Sequence, residues 1–167
     1  MKRGTRWGRF GLSAALAVIV GGVAATAQAP VKDPAHGVWT LNVAKSTFSP
    51  GPAPKSGTIE IEAGGPLARK VSVEGVGPDG AAVKWGYSGN VDGKDIPITG
   101  TNPEAEVVSI KRVARRVVET TFKRGGKVTL VNTSTVSPDG KTLIVVSAGT
   151  SASGQKVANT QVFDRKQ

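Results

Sequence analysis

The sequence is poor in the residues that most often carry chemistry: it has no cysteine, one histidine, one tyrosine and one methionine among 167 residues. Without cysteine there is no disulfide framework, no thiol nucleophile, no thiolate zinc or iron–sulfur centre and no lipid-anchoring cysteine. The lone imidazole, His36, leaves no histidine cluster for a metal, and any Ser–His–Asp site would have to use it. No Gly-x-Ser-x-Gly elbow supplies the serine, and no Walker or Rossmann glycine pattern cradles a phosphate. A convincing helical period is also missing beyond residue 30. Catalysis, a cofactor and a metal are therefore not expected.

What is present begins with an export signal. Lys2, Arg3, Arg6 and Arg9 form a basic lead, residues 10–23 are uncharged and apolar or small, and Ala24-Ala25-Thr26-Ala27-Gln28-Ala29 offers small-residue cleavage sites. A cut after Ala29 would leave Pro30 first, which signal peptidase disfavours, so the cut is placed after Ala27. The apolar run is shorter than the about 20 residues of a membrane span, so the mature form is expected to have no transmembrane anchor. With no Arg-Arg pair in the basic lead, Sec export to a periplasmic or extracellular destination is expected. The chain divides into a signal peptide (1–27), a flexible mature N-terminus (28–35) and one domain (36–167). The formal charge of +10 falls to +6, because four basic residues and no acidic ones leave with the signal.

The domain reads as all-β. Short alternating runs rich in Val, Ile and Thr recur near 37–42, 57–63, 68–76, 81–89, 94–99, 106–112, 117–124, 127–136, 141–149 and 156–164. Pro78-Asp79-Gly80 and Pro138-Asp139-Gly140 are hairpin turns with a mechanism, a preset proline φ followed by residues that tolerate positive φ. Asp92-Gly93, Gly125-Gly126 and Ser153-Gly154 are further hairpin candidates. Sequential hairpins without helical crossovers predict a single antiparallel up-and-down barrel of about 8–10 strands, closed to remove exposed edges. The stretch 45–56 carries three prolines within five residues and is expected as a loop over a barrel mouth, with Phe48 packing inward.

Two features bear on function. Val128, Leu130, Asn132, Ser134 and Val136 share one pleat face, as do Val157, Asn159, Gln161 and Phe163. Either these polar residues line a partly hydrated pocket or bulges turn them outward. Trp39, Trp85 and Tyr87 lie on apolar faces, where core and cavity are one space in a small barrel. Trp39, Trp85, Tyr87, Leu130, Asn132 and Phe163 are the lining candidates. The second feature is basic: Lys111, Arg112, Arg115, Arg116, Lys123 and Arg124 fall close together, and a hairpin there would crowd several charges on one end or face. Such a patch suits an anionic lipid headgroup or polysaccharide. Specific nucleic-acid binding is not expected, because Phe122 is the sole aromatic nearby.

Gly37-Val38-Trp39, Leu41-Asn42 and Lys45-Ser46 with Phe48-Ser49-Pro50-Gly51-Pro52 resemble the Gly-x-Trp opening of lipocalin-type barrels. The chain is similar to small exported bacterial lipocalin-like proteins over about 35–165, and the resemblance implies a calycin-type barrel that binds a small hydrophobic molecule. By position, Arg165 matches the late arginine that stacks on the lipocalin tryptophan. The sequence departs from that pattern in having no Thr-Asp-Tyr motif and no helix after the last strand. The leading expectation is thus an exported, non-catalytic barrel with a small hydrophobic or amphipathic ligand inside. The alternative is an envelope-associated module that uses the basic hairpin on an anionic partner and holds no internal ligand.

Overall fold

Alternation of apolar and polar residues drives these segments into strands that bury one face. In the computed structural model, which describes residues 32–167, they form β1 (Gly37–Leu41), β2 (Ser56–Gly65), β3 (Ala68–Val76), β4 (Ala82–Asn90), β5 (Asp92–Pro97), β6 (Thr99–Gly100), β7 (Val107–Ala114), β8 (Val117–Arg124), β9 (Lys127–Val136), β10 (Thr142–Thr150) and β11 (Lys156–Arg165). One 3-10 turn, Val43–Lys45, follows β1. The ten longer strands match the sequence expectation; the eleventh, β6, is two residues long. The export signal expected at 1–27 lies outside the described residues. Among those described, no helix is long and apolar enough to cross a membrane.

The strands form one antiparallel sheet in the order β5-β7-β8-β9-β10-β11-β1-β2-β3-β4-β6. Because β1 pairs with both β2 and β11, the first and last strands join and the meander curls into a nearly closed barrel. The remaining break lies between β4 and β5, consecutive in the chain but without a ladder between them. The hairpin expected at Asp92-Gly93 is therefore not formed. Those residues begin β5 at an irregularity in its pairing with β7, and Gly93 takes a positive φ of 82°. Ile96 fills the break: a Cβ on Gly89 would sit 2.6 Å from the Ile96 Cδ1, so the absent side chain leaves room for it.

Up-and-down order gives the barrel two ends. The turns at 66–67, 91, 115–116 and 137–141 and the entry of the chain at 32–36 share one end. The 42–55 loop and the turns at 77–81, 125–126 and 151–155 share the other. The first end is closed by packing. Trp39, Val108, Ile110 and Leu143 are fully buried, and Arg165 lies 4.0 Å over the Trp39 ring. The Arg165 guanidinium donates to the carbonyls of Gly140, His36 and Pro34, each at 2.6 Å. Gly37 has φ 135°, and a Cβ there would meet the Arg165 Nη1 at 2.5 Å, which gives the Gly-x-Trp spacing a physical reason. Arg165 thus stacks on Trp39.

The described part of the expected flexible segment 28–35 is anchored. The Asp33 carboxylate receives Arg69 Nε at 2.7 Å and Arg112 Nη2 at 2.6 Å, and Ala35 is buried beneath Trp39, whose indole N–H donates to its carbonyl at 2.8 Å. An ion pair and a core contact hold what composition alone marked as a free lead.

Candidate functional site

Inside the barrel, toward the second end, lies a cavity of ≈ 260 Å³. Its mouth is bordered by Pro54, Ser56, Gly57, Val76 and Val83, where the proline-rich loop meets the ends of β2 and β3 and the start of β4. Val71, Val73, Trp85, Phe122, Val145 and Phe163 supply its apolar wall. Arg69, Tyr87, Thr120, Asn132, Ser134 and Gln161 supply the polar groups. A second depression, of ≈ 450 Å³, lies along β2, β3, β4 and β6 and takes in Glu60, Lys70, Lys84 and Ser88. The interior cavity joins an apolar wall to a few convergent polar groups.

The deep polar groups are fixed by their surroundings. Arg69 alternates with Val71 and Val73 and so points inward, its side chain 6% exposed against 8% for its partner Asp33. Burial raises the pKa of Asp33. The Arg69 charge, the Ala35 N–H and the hydrogen bonds from Arg112 and Arg69 outweigh that effect and hold the carboxyl below its ordinary value. Tyr87 shows the opposite balance: burial pushes its phenol up, against smaller lowering effects from its Thr120 hydrogen bond and from Arg69. Tyr87 stays neutral and keeps an O–H to donate. Trp85 stacks on Tyr87 at 6.2 Å and meets Phe122 edge-on at 5.9 Å, which makes one aromatic wall. Asn132 Oδ1 is buried at the cavity lining without a hydrogen-bond partner among the described residues. The arrangement offers hydrogen-bonding groups and apolar contact surface in one space; among the described residues no cluster of His, Asp or Glu could hold a metal ion.

Of the lining candidates, Trp85, Tyr87, Asn132 and Phe163 border the cavity, and Trp39 and Leu130 do not. Trp39 lies beyond the cavity floor, sealed under Arg165. Leu130 pairs with Phe122 and packs half-buried against the core. A bulge just before it makes Thr129 the extra residue, so Thr129 turns inward and Val128 outward, against the simple alternation expected there. The Thr129 hydroxyl donates to the Glu104 carbonyl at 2.8 Å. Arg69, Thr120, Phe122 and Val145 were not among the candidates; the pleat shared by Arg69, Val71 and Val73 was the available signal for the first. The proline-rich loop behaves as expected, with Phe48 packed on the core and Pro54 at the mouth.

The basic candidates do not form one patch. Arg115 and Arg116 make the β7–β8 turn at the closed end, whereas Lys123 and Arg124 sit at the far end of the same hairpin. Lys123 pairs with Asp95 at 2.6 Å. Arg124 donates to the Asn102 carbonyl at 2.8 Å and faces Glu106 at 3.6 Å, and Arg112 is committed to Asp33. Lys111, Arg115 and Arg116 have no carboxylate within salt-bridge distance among the described residues.

The sequence matches no protein-family model, and no curated protein matches it. Solved structures match by fold. Zebrafish ileal bile acid-binding protein complexed with cholic acid superposes with a TM-score of 0.54 at 12% identity, over 80% of this chain and 99% of that one. The fluorescent protein UnaG gives 0.52 at 12% identity, over 78% and 96%. EF1p2_mFAP2b bound to DFHBI gives 0.50 at 11%, over 80% and 94%. The chain therefore has the calycin-type fold of the fatty-acid-binding and lipocalin-like barrels. At these identities the likeness is one of architecture.

Proposed function

We propose that this protein is an exported, non-catalytic binding protein that holds a small hydrophobic or amphipathic molecule inside its barrel. The observation that carries the reading is the interior cavity of ≈ 260 Å³, whose apolar wall converges on the buried Arg69, Tyr87 and Thr120. Its size lies just below the about 300–1,000 Å³ typical of small-molecule sites, which favours a compact guest. The polar end of such a guest would lie deep, toward Tyr87 and Thr120, and its apolar part against Val76 and Val83 at the mouth. Two barrels of the same fold support the reading, one a bile acid-binding protein carrying cholic acid and one carrying DFHBI. Export rests on the basic lead, apolar run and alanine-rich cleavage region of residues 2–29.

Trp85 is the natural reporter, since it borders the cavity and Trp39 does not. Titration with fatty acids, retinoids, bile salts and haem-like compounds should quench or shift tryptophan emission, and Trp85→Phe should remove that response while calorimetric binding persists. Silence in both fluorescence and calorimetry across the panel would overturn the proposal.

A further inference from the structure

The closed end of the barrel, opposite the cavity mouth, carries an unusual surface. Leu67 on the β2–β3 turn is 78% exposed, and Val113 beside the β7–β8 turn is 59% exposed. Val113 is the extra residue of a bulge between Arg112 and Ala114, which frees it from the ladder and turns it outward. The two tips are tied together from beneath, because Asp33 Oδ2 bonds both Arg69, two residues from Leu67, and Arg112, next to Val113. Arg115, Arg116, Lys141 and Lys166 belong to the same end, and none has a carboxylate within salt-bridge distance among the described residues. The acids there are engaged: Asp33 is buried, Asp92 faces Lys94 at 3.7 Å, and Asp139 accepts from Ser137 and Lys141 in its own turn. Lys111 is not one of these end cations: it stands within the wall of the barrel, opposite Glu119 and Asp92 in register.

We infer that this end docks on an anionic lipid bilayer. Single exposed aliphatic residues are common on protein surfaces. Two of them on turns at the same end, together with cations that have no carboxylate partner, form the pairing of shallow apolar insertion with headgroup attraction that peripheral attachment uses. A polysaccharide or nucleic acid would use the cations and leave the aliphatic tips in water. Charge complementarity thus selects the sign of the partner, and the aliphatic tips select a bilayer among anionic partners. Docked this way, the protein turns its cavity mouth away from the lipid, toward the aqueous side.

The test is co-sedimentation of the protein with vesicles of phosphatidylglycerol mixed with phosphatidylcholine, and with pure phosphatidylcholine. Binding is expected to the anionic vesicles alone and to weaken with salt. At about five-fold per basic residue, Arg115→Ala with Arg116→Ala should lower the partition coefficient about thirty-fold. Leu67→Ser with Val113→Ser should also lower it several-fold, whereas Lys127→Ala with Lys156→Ala, charge-matched at the mouth end, should leave it near wild type. Unchanged tryptophan emission in every variant reports an intact barrel. No binding to anionic vesicles, equal loss from the two ends, or indifference to the Leu67 and Val113 changes together with tight heparin binding would overturn the inference, the last by showing a polyanion site.

Discussion

Asp33 offers the most demanding test of how the barrel is held shut. Asp33→Ala removes the single carboxylate that serves both Arg69 and Arg112, and leaves Arg69, 6% exposed, as a buried cation without its counter-ion. Removing one partner of a buried pair costs about 3–5 kcal/mol. Arg112 is 36% exposed and can turn to water, so its share is small, and a loss of about 3 kcal/mol is expected. Urea denaturation at neutral pH should show the midpoint falling with an unchanged slope. Asp33→Ala combined with Arg69→Met should recover most of the loss, because the stranded charge is gone. The pKa of Asp33 is depressed in the folded state. Its stabilisation is therefore complete above the unfolded aspartate range and disappears as pH falls through and below that range. The gap between wild type and Asp33→Ala should narrow accordingly on acidification. A single-variant loss under about 1 kcal/mol, as for a surface pair, or strict additivity in the double variant, would refute the reasoning.

Arg165→Leu should uncover Trp39 and break three carbonyl hydrogen bonds, at about 3 kcal/mol in chemical denaturation and with a red shift of emission; Arg165→Lys should recover only part, having no planar fork. Gly89→Val would drive a side chain into Ile96 across the β4–β5 break and should cost about 1–3 kcal/mol, with partial recovery when combined with Ile96→Ala. Ser134→Leu projects into the cavity and should weaken binding of any interior ligand about ten-fold while stability stays within about 1 kcal/mol of wild type. The proposed export predicts that intact-mass measurement of the protein expressed with its first 27 residues should give a mature chain beginning at Gln28; a product retaining residues 1–27 would contradict the assigned cleavage.

Much of the architecture was legible because half-buried antiparallel strands write their faces into the sequence. Arg69 is a case where the pattern was present but residue type obscured it: its pleat is that of Val71 and Val73, and the countercharge that makes burial tolerable lies 36 residues earlier. Thr129 and Val128 were not legible, since a bulge reverses the face of each following position and depends on partner strands. The Asp92-Gly93 signal is a sound local hairpin cue, but packing of Ile96 into the β4–β5 break determines the outcome there. The basic run misled for a different reason. Residues close in sequence flank a hairpin whose eight-residue strands extend about 25 Å, so Arg115 and Arg124 reach opposite ends. Among the cavity residues, Asn132, Ser134 and Gln161 were the informative ones, because a filled core has little use for amides and hydroxyls on an apolar face.

The central claim is that a guest occupies the barrel interior. Isotope-edited NMR of the labelled protein with an amphipathic ligand from the fluorescence panel tests it most directly. Nuclear Overhauser contacts are predicted from the ligand to the Val71, Val73 and Val145 methyls and the Phe163 ring, all of which border the cavity. Contacts confined to outward residues such as Ile144 and Val146, or saturating ligand with none of these interior contacts, would contradict it.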